Sequence, residues 1–320
     1  MRHAMTFMLP VVAGFATLTS AYAQPYPAKP VRVITPFSAG TAVDAVARVV
    51  GKQIGDALGQ QVVIDNRVGA GGIIGTVAAA KSAPDGYTLY LGNDSFVIAP
   101  NLYKTPSYDA IKDFSPIALV ANIPLVLMAH PSLPAKTVKE LIALAKARPD
   151  EINYGSGGAT HRLLMETFQR TAGIKLVYVA YKGAGPALND LLGGQIPLMF
   201  AGVSNALPHE ASGRLRILAV SSIRRATALP RVPTLAEAAL PGFDYAAWAG
   251  YLAPAGTPPE IINRLHAEIV RAVGQPNVQE IFVRLGFEVM TGSPDEFARL
   301  IRSDMARVAK VVREAGIPLE

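Results

Sequence analysis

The sequence predicts an α/β protein made of two lobes, on three observations. Short β-branched runs alternate with stretches whose apolar residues recur at helical spacing, the pattern of a parallel or mixed sheet covered by helices. A strand, a loop of small residues and a helix follow one another over residues 31–58, and the same unit returns over residues 152–172. Each unit puts a helix N-terminus at a sheet edge, and this shared architecture suggests two lobes.

Residues 1–23 stand apart from this pattern. Met1-Arg2-His3 is a basic start, Phe7 to Leu18 is mostly apolar, and Ala21-Tyr22-Ala23 is an A-x-A cleavage site before Gln24. That three-part order predicts a secretory signal peptide, with an apolar core too short to span a membrane. After a proline-rich entry, Val31 to Ile34 reads as the first strand. The turn Pro36-Phe-Ser-Ala-Gly-Thr-Ala-Val-Asp44 then leads into a helix. Val43, Val46, Ala47, Val50, Ile54 and Leu58 share one face of that helix, which should end near Gly59.

Gln61 to Asp65 is a second strand, Gly69 to Gly75 leads into an alanine-rich helix ending about Lys81, and Tyr87 to Leu91 is a third strand. Gly69–Gly75, with Asp94 further on, approaches a dinucleotide-binding fingerprint. A Rossmann unit carries that motif after its first strand, whereas here a complete strand–helix unit precedes it, so the glycines are read as close helix–sheet packing. Gly92-Asn93-Asp94-Ser95 is a polar loop opening on the same edge as Ser38–Thr41.

Ile117–Val120 and Leu125–Ala129 read as strands, and Val138–Ala147 as a helix. Then come a short strand at Ile152–Tyr154, the loop Gly155–Thr160, a helix from His161 to Ala172 and a strand at Leu176–Val179. Tyr181 to Pro186 is a third loop entering a helix, which Gly193-Gly194 stops. Ile196–Phe200 and Leu215–Val220 are further strands, and Trp248 is expected in the core. The C-terminal part is helical: one helix starts at Pro258 or Pro259, and a second opens on the capping box Ser293-Pro-Asp-Glu296.

Composition narrows the function. Of 320 residues, 50% are apolar and 17% charged, which allows a sizeable core and excludes a disordered chain. The absence of cysteine excludes disulfides and thiolate metal sites. No His/Asp/Glu cluster has metal-ligand spacing, so neither a metal nor a cofactor is expected. The net charge of +6 is scattered, with no basic stripe of interleaved aromatics, so no nucleic-acid partner is expected. An exported chain without cysteine fits a bacterial periplasm.

The turn at 36–44 carries the chemistry. Where a strand's carboxyl end meets a helix N-terminus, the first backbone N–H groups lack intrahelical partners and the macrodipole is positive. Such a nest holds a carboxylate or phosphate without Lys or Arg. Two nests facing each other across a cleft, one in each lobe, make a site for a dicarboxylate or an amino acid.

At this point the chain resembles a known family, the Bug-type substrate-binding receptors of tripartite tricarboxylate transporters. The resemblance rests on Tyr26-Pro-Ala-Lys-Pro-Val31, Pro36-Phe-Ser-Ala-Gly40 with Asp44 and Ala47-Arg48, and Asn66-Arg67-Val-Gly-Ala-Gly-Gly72. It continues through Ala83-Pro-Asp-Gly-Tyr-Thr-Leu89, Asp113-Phe-Ser-Pro116, Pro131 to Leu141, Tyr181-Lys-Gly, Pro186-Ala-Leu, Asp190 to Gln195, Ala206-Leu-Pro-His209 and Leu252 to Pro258. It implies a two-lobed type II periplasmic binding protein fold with the ligand cleft between the lobes. Lobe 1 would comprise residues 24–122 and 230–320, and lobe 2 residues 123–229.

The resemblance also implies a small carboxylate ligand, integral membrane transporter subunits as partners, and a monomer. Carried over by position, the ligand-binding residues are Phe37, Ser38, Ala39, Gly40, Thr41 and Asp44 in the first nest, with Asn93 and Ser95 beside it. In the second lobe they are Ser156, Gly157, Gly158, Ala159, Thr160 and His161, with Tyr181, Gly183, Ala201 and Gly202 completing the wall. Three departures fall in this pocket: Thr41 stands where the family has a second glycine, the loop before His161 is about three residues short, and Ala201-Gly202 replaces an acidic or amide pair. The shorter loop and small wall residues would admit a bulkier carboxylate, including an aromatic one.

The sequence also admits two other readings. Gly202-Val-Ser204-Asn-Ala206 approaches a nucleophile elbow, with Asp244 and His266 following in hydrolase order, but the last glycine is missing and His266 falls on an amphipathic scaffold helix. A ligand sensor acting through a membrane signalling partner would use the same closed form as a transport receptor.

Overall fold

The computed structural model describes residues 26–317 and 319, so the expected leader of residues 1–23 and its cleavage before Gln24 lie outside the described residues. The chain opens with β1 (Val31–Thr35), α1 (Ala42–Leu58), β2 (Val62–Asn66), a 3-10 turn at Ala70–Gly72, α2 (Ile73–Ala80), β3 (Thr88–Asn93) and the short α3 (Ser95–Ile98). Thr41 caps α1 by accepting from Asp44 N at 3.4 Å, and Gly59, in the left-handed region at φ 67°, ends it. The predicted apolar face is buried. Gly51 lies on the sheet side too, where a Cβ would stand 3.1 Å from Val62, so the glycine lets α1 settle close on β2. Gly75, inside α2, gives the expected close packing: a Cβ on it would meet Arg67 O at 2.6 Å and Pro36 Cα at 3.2 Å.

β4 (Phe114–Ala129) corrects the sequence expectation. The two strands expected at Ile117–Val120 and Leu125–Ala129 are one sixteen-residue strand. Asn122 and Pro124 interrupt the apolar run and read as a break. Instead, Pro124 marks the place where the strand changes partner, and a residue without an N–H is tolerated where the ladder hands over.

The chain continues through α4 (Val138–Ala147), β5 (Asn153–Ser156), α5 (Ala159–Ala172), β6 (Val177–Ala180), α6 (Ala184–Leu192), β7 (Leu198–Gly202), α7 (Val203–Glu210) and β8 (Arg216–Val220). Here the expected boundaries move by one to two residues. Ala159, Thr160 and His161 belong to the first turn of α5, and Ala201-Gly202 belongs to β7. Pro208 lies inside α7, which runs on to Glu210.

The last third holds α8 (Leu235–Ala238), β9 (Ala246–Pro254), α9 (Pro259–Val273), α10 (Pro276–Arg284), β10 (Glu288–Val289) and α11 (Pro294–Glu314). The capping box at Ser293 and Glu296 is formed in both directions. Trp248 is core: it is buried, donates through Nε1 to Asp304 at 2.8 Å and meets Phe297 edge-on. Neither β9 nor α10 was foreseen. β9 is buried along almost its whole length, so it shows no polar alternation.

Strand order is β2-β1-β3-β9-β4-β7-β5-β6, with β10 and β8 also on β4. β1, β2 and β3 are parallel, as are β5, β6 and β7, so each set sends its carboxyl ends to one edge. β4 belongs to both sets. Its first part pairs with β9 and β10, and its second with β7 and β8. The register locates the two edges: Asn93 of β3 lies opposite Ala249, Ala249 opposite Ala121, and Gly202 of β7 opposite Leu125. β3 runs with β4 and β7 runs against it, so the two carboxyl ends point at each other. They are separated by four residues of β4, about 13 Å at the rise of a strand. That spacing is the width of a cleft for a small molecule.

On the return, Thr234 bridges Val220, and α8 packs on α4 and β8 before the chain re-enters the first half at β9. The division expected at residues 229 and 230 falls inside this segment.

Candidate functional site

In the first half the turn Ser38–Thr41 projects from the end of β1 and is exposed, while Pro36 beneath it is buried. Thr41 N donates to Ser38 O at 3.3 Å and Gly40 has φ 83°, a turn that needs glycine at its third position. Only Gly40 bears that requirement. Thr41 is extended at φ −74°, ψ 162°, which explains why threonine can stand where the family has glycine, and it becomes the helix cap.

Asp44, expected among the ligand-binding residues, turns its carboxylate into the protein. Its carboxylate, 2% exposed, accepts from Gly40 N at 2.9 Å, Arg48 Nε at 2.9 Å, Arg48 Nη2 at 3.1 Å and Asn66 Nδ2 at 2.8 Å. Four donors fill the positions a carboxylate offers. Burial works against the charge, yet the bonds from Arg48, Asn66 and Gly40 hold the Asp44 carboxyl below its ordinary range. Asn66 Nδ2 also donates to Phe37 O at 2.9 Å. Asp44, Arg48 and Asn66 therefore hold the shape of the nest from behind, and the Gly40 N–H is spent on them.

In the second half three helices, α5, α6 and α7, begin at the shared edge of β5, β6 and β7. Gly158, Gly183 and Gly202 are their N-cap residues, all with extended backbone. The first two loops touch: a Cβ on Gly157 would lie 2.0 Å from Gly183 C. Tyr181 N donates to Ser156 O at 3.0 Å, a second link between the same two loops. The Tyr181 hydroxyl turns away to Asp190 at 2.7 Å; burial and that carboxylate push it up to about 12.

Side-chain hydroxyls are mostly used within the protein. Thr41 donates to Ser38 O at 2.9 Å, Ser156 to Gly158 O at 2.9 Å, Thr160 to Asp94 Oδ1 at 3.1 Å and Ser95 to Asn93 Oδ1. Of the hydroxyls expected to bind the ligand, only that of exposed Ser38 makes no hydrogen bond among the described residues. What both nests present is backbone N–H at helix starts. His161 Nδ1 is sealed from solvent without a partner, and burial lowers the imidazole to about 4, so it is neutral near pH 7.

Sequence reasoning missed Asp94. It is 2% exposed and binds Thr160 from the second half, where only Asn93 and Ser95 beside it were expected to matter. The signal was present: an acid directly after a strand buried along nearly its whole length. The hydrolase constellation does not assemble. His266 Nδ1 is bonded to Ile117 O at 2.9 Å and Asp244 accepts from Ile223 N at 2.9 Å, each committed to its own surroundings. A separate cavity of about 600 Å³ lies among Asn122, Tyr245, Trp248, Glu288, Leu300 and Arg307, and neither nest lines it.

Two open α/β halves sharing one long strand, with helix N-termini facing across the gap, define a periplasmic binding protein. The chain belongs to the tripartite tricarboxylate transporter family of receptors, whose model matches residues 46–317. It is 41% identical to protein BugT of Bordetella pertussis over 99% of both chains. Among solved structures it is similar to R. palustris Rpa4515 with adipate, at 34% identity and TM-score 0.82 over 92% of this chain and 99% of that one. It is also similar to MatC from Rhodopseudomonas palustris with bound malate, at 32% identity and TM-score 0.79 over 90% and 100%. Among the described residues no helix is long and apolar enough to cross a membrane.

Proposed function

We propose that this chain is a periplasmic receptor that binds a small carboxylate and hands it to the membrane subunits of a tripartite tricarboxylate-type transporter. The observation that supports this most strongly is the pair of cation-free nests. No Lys or Arg lies between Phe37 and Val43 or between Gly155 and Thr160, yet α1 and α5 start at strand ends that face each other. Backbone N–H groups and helix dipoles suit carboxylates at both ends of a short ligand. The adipate and malate of the two similar structures are such molecules.

In this reading Phe37–Thr41, Asn93 and Ser95 form one wall. Ser156–His161, Tyr181, Gly183, Ala201 and Gly202 form the other, and Asp44 supports the first from behind. Residues 24–122 and the part of 230–320 from β9 onward close on residues 123–229 and the α8 segment packed on them, about the middle of β4, and the monomer is the working unit. The same closure would serve a membrane sensor.

Ligand that binds only the folded form stabilises it by about 2.7 kcal/mol at a hundredfold excess over Kd. Thermal melts of the mature protein against malate, adipate, aromatic acids and amino acids should show a clear upward shift for at least one. No shift with any of them at millimolar concentration contradicts the reading.

A further inference from the structure

Asp94 touches three parts of the molecule at once. Its backbone N–H donates to Trp248 O at 3.2 Å in β9. Its Oδ1 accepts from Thr160 at 3.1 Å, in the first turn of α5 in the second half. Its Oδ2 accepts from Tyr245 OH at 3.1 Å, in the segment that brings the chain back to the first half. α11 supplies the remaining charges, Asp304 and Arg307. Arg307 binds Asp304 Oδ1 at 2.8 Å and lies 4.7 Å over the Tyr245 ring, while Trp248 Nε1 holds Asp304 Oδ2.

On α5 the residues after Thr160 add no charge to the group: His161 is neutral, and Arg162 lies over Tyr178. The Ala70–Gly72 turn packed against α3 carries no titratable side chain. Two buried carboxylates, Asp94 and Asp304, therefore face one partly exposed guanidinium at the edge of the separate cavity, leaving one surplus negative charge that a single proton would cancel.

We propose that Asp94 is a positioning residue that couples closure of the cleft to uptake of a proton. The inference rests on the receptor reading above. When the lobes part, Thr160 leaves with α5, water takes its place at Oδ1, and Asp94 ionises nearer the ordinary carboxylate value of about 3.9. In the closed form burial pushes Asp94 up to about 7, against the bonds from Tyr245 and Thr160. A raised value means that the closed form keeps a proton which the open form has released, over the window from about 4 to about 7. Closure is therefore favoured as pH falls through that window, and the favour is gone above it. Affinity for the carboxylate should follow, by at most about tenfold per pH unit.

The test is calorimetric titration with adipate and with malate at pH 6, 7 and 8, in two buffers of different ionisation enthalpy. The wild type should bind about tenfold more tightly at pH 6 than at pH 8, with net proton uptake. Asp94→Asn should bind with neither the pH dependence nor the uptake. Tyr245→Phe removes a donor that favours the ionised form, so it should move the transition to higher pH. Because the chain has no cysteine, spin labels at Asp56→Cys and Glu151→Cys report the distance between the halves without ligand. That distance should shorten from pH 8 to pH 6 only when Asp94 is present. Flat affinity and distance in the wild type, or a pH dependence that survives Asp94→Asn, would overturn the proposal. Failure of every carboxylate to bind would reject the receptor reading instead, and the label distances would still decide the role of Asp94.

Discussion

Ala39→Asp should fold normally and lose ligand binding. Ala39 is exposed at the second position of the Ser38–Thr41 turn, where aspartate meets no backbone obstacle. An acid beside the N-terminus of α1 is favourable for the helix. In the proposed site the same acid stands where the ligand carboxylate would sit. Two unit charges about 4 Å apart repel by roughly 1 kcal/mol in water and roughly 4 kcal/mol at an effective dielectric of 20. A partly dry cleft lies toward the second figure, so binding should fall by about a hundred- to a thousandfold. Ala39→Asn adds nearly the same volume without charge and should stay within about tenfold of wild type. Circular dichroism and calorimetry on the pair separate charge from bulk, and near-normal affinity in Ala39→Asp would reduce this turn to a simple strand–helix connection.

Adjacent glycines in the second nest should behave in opposite ways. A Cβ at Gly157 would lie 2.0 Å from Gly183 C and 2.2 Å from Ala184 N, both backbone atoms that cannot rotate aside. Gly157→Ala must push apart the loops that start α5 and α6. Overpacking costs about 1–3 kcal/mol where side chains can adjust, and a backbone clash belongs at or above the upper end. Affinity should fall with stability, because both helix starts move. Gly158 has φ 175°, which any residue adopts, and its Cβ would meet nothing within 4 Å. Gly158→Ala should leave stability within about 0.5 kcal/mol of wild type. Urea unfolding of the two variants tests the contrast, and equal stability would contradict the observed contact between the loops.

Much of this was readable from the sequence, because the signals were local. The face of α1, its end at Gly59, the cap at Ser293 and the buried Trp248 each follow from a few neighbouring residues. The continuity of β4 was not readable: Asn122 and Pro124 look like a break unless the change of partner from β9 to β7 is known. β9 escaped notice because a strand buried on both faces loses its alternation. The turn at residues 36–41 was legible as a loop, but the expected loop at 155–160 is divided between β5 and α5, and the commitment of the hydroxyls in both stretches was hidden. Thr160 looks like a ligand donor until Asp94, sixty-six residues away, is seen to accept its hydrogen bond. Asp44 likewise reads as a pocket acid until Arg48 and Asn66 are seen closing on it.

Hydrogen–deuterium exchange with and without saturating malate or adipate tests the two-nest site most directly. Segments 37–45 and 155–163 should both exchange more slowly in the bound form, since one ligand spans the helix starts of the two halves. Unchanged exchange in both segments, with slowing confined to residues 244–248 and 288–290 around the separate cavity, would contradict the account and place the ligand there.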